Sequence, residues 1–332
     1  MIQVYLYADE NHAKEAQSIQ STVLGFKDRF DLNLNIVDIP PDHWLQNKEL
    51  TQMPELHVGG FMVADPQNPA NVEATLLRAQ DYLRYSTERR DQPGLDSLTK
   101  PVSLTGSDRL ALWFSRSYVW FIGLLVLIYV GLPFLTPVLM KTGHPGPASL
   151  IYRGYRLVCH ELGYRSFYLF GEQVAYPREL AGVDGLRTFE EVSGLHSEDL
   201  AGASLFVGNE TLGFKVALCQ RDVAIYGSIL FFAVIFGLTK RKIKAIPWYV
   251  WLVLALGPIG LDGFSQLISQ LNLPFLRWLG MRESTPFLRV LTGFFFGWFT
   301  AWYALPTIEE SLRPTRVRME MKALASAQTR SE

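Results

Sequence analysis

Tyr118 to Met140 reads YVWFIGLLVLIYVGLPFLTPVLM, with no charged side chain from end to end. A helix rises about 1.5 Å per residue, so a run of this length crosses about 30 Å of hydrocarbon. The chain is expected to enter a membrane here. Three further stretches share this character. Val223 to Leu238 is uncharged but short, with Asp222 at its interfacial start. Trp248 to Leu271 is interrupted only by Asp262. Pro286 to Leu305 carries Arg289 near its beginning and Trp298, Trp302 and Tyr303 near its end, aromatics that suit the headgroup level. Together they predict an all-α polytopic membrane domain over 110–306 with about four transmembrane helices and a polar insertion at 176–211. A fifth crossing through Ser149 to Gly171 would bury Arg153, Arg156, His160, Glu161 and Arg165 at high cost, so an interfacial or partly re-entrant helix is expected there.

Composition agrees with a mixed chain. Of 332 residues, 48% are hydrophobic and 19% charged, against a usual ~25% charged, which argues against a disordered or coiled-coil protein. A mean hydropathy of +0.10 is low for a pure membrane bundle, so a polar part is joined to the apolar one. The net charge is −1, from 31 basic and 32 acidic residues, and no bulk basicity points to nucleic acid. The two cysteines exclude a disulfide-rich scaffold, a four-cysteine zinc knuckle and a cysteine-ligated iron–sulfur cluster. The chain has no nucleotide-binding glycine loop, Ser-His-Asp order or haem motif.

Residues 1–90 carry the polar part and read as a small α/β unit. Ile2 to Tyr7 alternates as a strand, and Ala13, Ala16, Ile19, Val23 and Phe26 fall at helical spacing. Leu32 to Ile39 is a second strand, stopped by Pro40-Pro41. A hairpin follows at Met53 to Val63 around Gly59-Gly60, then a helix over Asn71 to Tyr85. This order resembles the thioredoxin/glutaredoxin fold, with Met53-Pro54 where that fold carries its cis-proline. That family opens its first helix with Cys-x-x-Cys, where this chain has Ala8-Asp9-Glu10-Asn11-His12, and no cysteine precedes position 159. The resemblance therefore implies a redox-inactive docking or regulatory module, with a binding role for His12 or the acidic turn as the alternative. Because the chain enters this unit within two residues, no signal peptide is read and folding in the cytosol is expected. Residues 91–109 are the linker, marked by Pro93-Gly94.

Basic residues set the orientation. Lys240-Arg241-Lys242 and Lys244 place the loop between the second and third spans in the cytosol. Arg109 and Arg116 before the first span, and Arg313, Arg316, Arg318 and Lys322 after the fourth, put both ends there too. The expected location is a cell membrane, with a cytosolic N-terminal domain and a cytosolic tail at 307–332. Arg277, Arg282 and Arg289 run against the rule, near a loop placed outside.

Under this topology the unusual residues collect at one face. Cys159 and His160 lie between the first and second spans, and Cys219, Arg221 and Asp222 stand at the mouth of the second. Asp262 lies about fourteen residues, or roughly 21 Å, into the third, with Gln266 one turn on. Glu283, Ser284 and Thr285 precede the fourth. An ionisable residue within a span usually faces protein or water, so Asp262 is a candidate acid/base, with Glu283 beside it.

Cys159-His160-Glu161, Arg165-Ser166-Phe167, Cys219-Gln220-Arg221-Asp222, Asp262-Gly263-Phe264-Ser265-Gln266 and Arg282-Glu283-Ser284-Thr285, in that order, resemble a prokaryotic membrane family known as domain of unknown function 2085, over about 148 to 306. Many of its members have a second cysteine where this chain has Asp222, and carboxylate is itself a zinc ligand. Three readings of the cysteines stay open. Cys159, His160, Cys219 and Asp222 suit a tetrahedral zinc site, although adjacent Cys159 and His160 would diverge by about 100° on a regular helix. A Cys159–Cys219 disulfide would close a loop of about sixty residues, worth roughly 4 kcal/mol in the entropic picture. Or both are buried as small apolar side chains. Arg165, Arg221 and Arg282 either pair with the nearby carboxylates or grip an anionic lipid headgroup. Three functions follow as expectations. One is a membrane enzyme on a lipid or isoprenoid-type substrate with membrane lipid as its partner. The others are an accessory protein docking a protein partner through the N-terminal domain, and a cycling thiol protein. In the insertion, Thr188 and Glu191 are spaced as a capping box for a short helix, and the segment reads as a lid or a solvated loop.

Overall fold

The computed structural model describes residues 1–41, 43–46, 52–87, 100–196, 199–271 and 280–328. The chain divides into two compact units, Met1–Arg116 with Ser311–Glu332, and Ser117–Glu310.

In the first unit, β1 (Ile2–Ala8), α1 (Ala13–Gly25), β2 (Leu32–Asp38), β3 (Glu55–Val58), β4 (Phe61–Met62) and α2 (Pro69–Thr87) follow the order expected from the pattern. The strands lie as β2-β1-β3-β4. β1 and β2 run parallel, Ile2 against Leu32 through Ala8 against Asp38, so they need α1 as a crossover. β3 pairs antiparallel to β1, and the Met53–Pro54 peptide before it is cis. Every residue of β1 is buried, because both faces are covered. On one face Val4 and Leu6 meet Ile19 and Val23 of α1 and Val72, Leu76 and Ala79 of α2. Buried Gln3 is satisfied by Asn33 and Asn35, whose amides donate to its carbonyl oxygen at 3.1 and 3.3 Å.

The other face is where the structure departs from expectation. Tyr5, Tyr7, Val37, Ile39 and Leu45 pack against Met321 and Ala325. The stretch set apart as a tail at 307–332 is thus helical through Gln328, the end of α9 (Pro286–Gln328), with an apolar face buried on the sheet. The first turns of α3 (Gly106–Lys141) join the same unit. Arg116 donates two hydrogen bonds to Glu320, at 2.7 and 2.6 Å, and Lys322 bonds Asp108. The linker between α2 and α3 falls mostly at 88–99, outside the described residues, as does Arg277.

The second unit holds the apolar helices. Among the described residues, three are long and apolar enough to cross a membrane: α3, α7 (Gln220–Leu238) and α8 (Trp248–Gln270). Leu124, Leu125, Leu127 and Ile128 of α3 are about half exposed, an apolar surface that lipid covers. The expected fourth span, Pro286 to Leu305, forms the first half of α9 and is not among the three. Its glycines, threonines, tryptophans and Arg289 dilute its apolar character. α8 widens into a π-helical turn at Leu252–Leu256, just before Pro258, whose missing N–H leaves one carbonyl of an α ladder without a donor. On α9, Gly293 and Gly297 sit against the α7 backbone: a Cβ on Gly293 would lie 2.6 Å from the Arg221 carbonyl oxygen.

Between α3 and α7 the chain builds a layer outside the spans. α4 (Pro145–Tyr155) is 11 residues, about 16 Å, too short to cross. It is followed by β5 (Ser166–Leu169), α5 (Phe189–Ser193), α6 (Leu200–Leu205), β6 (Gly208–Asn209) and β7 (Gly213–Cys219), with the strands ordered β5-β7-β6. The Thr188–Glu191 capping box is present at the start of α5. Tyr164, Tyr168, Tyr176, Phe189, Ala203 and Leu212 give the layer its own core, so the insertion is a folded cap rather than a solvated loop.

Candidate functional site

The sulfur cluster forms because β7 runs directly into α7. Cys219 ends the strand and caps the helix, its sulfur accepting from the Asp222 N–H at 3.4 Å. Cys159 arrives from the turn after α4, where its own N–H bonds the Tyr155 carbonyl at 2.8 Å. Cys159 Sγ, Cys219 Sγ and a carboxylate oxygen of Asp222 then lie within 4.8 Å of one another. Both thiols are free. The hydrogen bond from Cys219, with help from the Glu161 N–H, lowers the Cys159 thiol to about 7 against the opposing effect of burial. The same bond and burial push the Cys219 thiol up, so Cys159 is the sulfur that gives up its proton more readily. Tyr129 walls the cluster, stacked edge-on to Tyr226 at 4.4 Å and tilted against Tyr155 at 5.6 Å.

His160 does not join this group. Its side chain is exposed while that of Cys159 is buried, and its ring nitrogens are not among the converging ligand atoms. Of the four expected ligands, three converge.

Beside the cysteines lies a buried pair that the sequence reading passed over. Lys215 of β7 and Glu161 are both fully buried, with Nζ 3.8 Å from the carboxylate. Lys215 donates to the backbone carbonyls of Glu161 at 2.7 Å and Ser204 at 2.6 Å. Burial raises the Glu161 carboxyl to about 8 and lowers the Lys215 ammonium to about 8. Glu161 also has a φ of 46°, in the left-handed region.

A second polar cluster gathers around two carboxylates. Asp262 on α8 accepts from Arg282 at 2.8 Å, from Ser284 at 2.7 Å and from Arg221 of α7 at 2.5 Å. Glu283 accepts from Arg165 at 2.9 Å, from Gln266 at 3.0 Å and from Arg289 of α9, with Arg178 at 3.5 Å. Arg282 also donates to Ser265. All of the expected polar residues, Arg165, Arg221, Gln266, Arg282, Asp262 and Glu283, therefore meet here, joined by Arg178 and Arg289. Each carboxylate has its oxygens occupied by donors, an arrangement that suits holding guanidiniums in place better than accepting a proton. Arg178 comes from the insertion, where no local pattern marks it.

Residues 205–303 match a family described as predicted membrane protein (DUF2085). An uncharacterised protein of Methanocaldococcus jannaschii is 27% identical over 163 residues, which cover 49% of this chain and 70% of that protein. No solved structure matches the chain. Three apolar helices and this family match make the chain a membrane protein, similar in its later part to a family of unknown function.

Proposed function

We propose that the working centre is a divalent-metal site of zinc type, made by Cys159, Cys219 and Asp222. The convergence of two sulfurs and a carboxylate within 4.8 Å carries the reading. Tetrahedral zinc spaces such ligands about 3.5–3.8 Å apart, so about 1 Å of side-chain adjustment closes the set. Three protein ligands leave a fourth position open, as catalytic zinc sites do, where a bound metal would activate water or polarise an oxygen. This chain's own residues supply the setting: Tyr129 and Tyr226 limit water, and Asp262 and Glu283 position the arginines. A lipid or isoprenoid-type substrate fits a site at the mouth of a membrane helix.

Topology supports placing this face on the non-cytosolic side. The Arg116–Glu320 and Asp108–Lys322 pairs join residues before the first span to residues after Leu305. A chain whose two ends meet crosses an even number of times, which supports reading Pro286 to Leu305 as a fourth span. Lys240, Arg241, Lys242 and Lys244 at the far end of α7 then mark the cytosol. The N-terminal unit is read as thioredoxin-like and redox-inactive, a docking module for a protein partner. Its strand order, cis-proline and lack of cysteine support this.

Elemental analysis of purified full-length protein tests the metal. Stoichiometric zinc that is lost in Cys219→Ser supports it. An intact, chelator-insensitive Cys159–Cys219 disulfide overturns it and favours a thiol protein, a reading that the close pair of free thiols also feeds. Retained cellular function without either cysteine would favour an accessory protein.

A further inference from the structure

The arginines around Asp262 and Glu283 outnumber their partners. Arg165, Arg221, Arg282 and Arg289 face two carboxylates, an excess of two positive charges at one place. Arg178 also reaches Glu283, and its charge is balanced by Glu190 at 3.6 Å. Each guanidinium carries five N–H donors, more than two carboxylates can accept. The Nε of Arg221 is buried without a hydrogen-bond partner among the described residues. Arg165 and Arg282 are about a third exposed, at 33% and 36%, so the cluster opens on one side.

Uncompensated charge in a partly dry site draws an opposite one. A phosphate carries up to two negative charges, and its oxygens match the guanidinium fork. An apolar groove of about 490 Å³ is lined by Phe167, Val174, Leu186, Phe287 and Val290, close along the chain to Arg165 and Arg289. Phe287 and Val290 flank Arg289 on the first turns of α9. We propose that Arg165, Arg221 and Arg282, with Asp262 and Glu283 as their positioning residues, form a seat for a phosphate group, and that the groove takes a chain attached to it. Arg221 stands two residues after Cys219, so the seat rests on the reading of this face as the working one, but it does not need the metal.

The test uses the full chain in nanodiscs. Inorganic phosphate is titrated by calorimetry, first in phosphatidylcholine discs and then in discs containing phosphatidic acid. Arg282→Gln and Arg165→Gln, both partly exposed, each weaken phosphate binding about tenfold, the equivalent of one charge-assisted contact. Melting midpoints read alongside show that the variants are folded, and Arg282→Lys recovers part of the loss. Phosphatidic acid that competes with free phosphate assigns the seat to a lipid headgroup; phosphate binding indifferent to the lipid assigns it to a soluble phosphate. Phosphate affinity is the same before and after treatment of the wild type with a chelator, so a failed metal site and a failed phosphate seat are told apart. No phosphate binding by the wild type, or unchanged binding in both folded glutamine variants, overturns the proposal.

Discussion

Replacing Gly297 by alanine tests the packing that brings α7 and α9 together. The added Cβ would fall on the Ile225 carbonyl and the Ser228 hydroxyl, with the Ile225 carbonyl carbon only 2.8 Å away. Carbon atoms rest about 3.5–4.0 Å apart, so the helices must part by about 0.7 Å or more. Ser228 can rotate; the Ile225 backbone cannot. Such overpacking costs about 1–3 kcal/mol, from which up to about 1 kcal/mol of better helix propensity is subtracted. Gly227 is the control. It lies on α7, but nothing stands within 4 Å of its Cβ position. Gly227→Ala should therefore keep the propensity gain. In a thermal melt of the full chain in one detergent, Gly297→Ala is expected to lower the midpoint by about 2–6 °C and Gly227→Ala to leave or raise it. A Gly297→Ala protein that melts with or above its Gly227→Ala counterpart would refute the close seam.

Other substitutions probe the rest of the structure. Lys215→Met leaves the buried Glu161 and Ser204 carbonyls without their donor and Glu161 with only the partly exposed Arg156 at 3.8 Å, and should destabilise by about 2–4 kcal/mol, with Glu161→Gln in the same chain recovering part of it, read by the same melt. Glu320→Ala removes the acceptor of two Arg116 bonds; because Arg116 is half exposed, the loss should be about 1 kcal/mol or less and shrink in high salt. Mild oxidation of metal-free protein should join Cys159 to Cys219 within one chain, measured as the loss of both maleimide-reactive thiols, and bound zinc should slow it.

Much of this was legible in local pattern. Alternation in Ile2 to Tyr7 and the uncharged run from Tyr118 to Met140 identify a strand and a span, because burial is written into each with a period of its own. The convergence of Cys159, Cys219 and Asp222 was also within reach, since residue type narrows what can meet. His160 was misplaced because adjacency along the chain says nothing about direction at a turn. Lys215, inside the otherwise apolar run GFKVALC, was a visible signal that went unread: a lone cation in a buried strand needs a partner. So was Gly293-Phe-Phe-Phe-Gly297, the small-residue spacing of close membrane helices. The contact between Met321 and the sheet left no local trace, since it joins residues from opposite ends of the chain, such as Tyr5 and Met321.

That last contact dictates an order of events during synthesis. When the ribosome has finished Tyr85, the first face of the sheet has its helices, but Tyr5, Tyr7, Val37 and Ile39 still lack the cover that Met321 and Ala325 provide. Every membrane helix must be translated before that cover emerges. The first unit to be made is thus among the last to be completed, and a nascent chain halted after the final span would show a chaperone a bare apolar sheet.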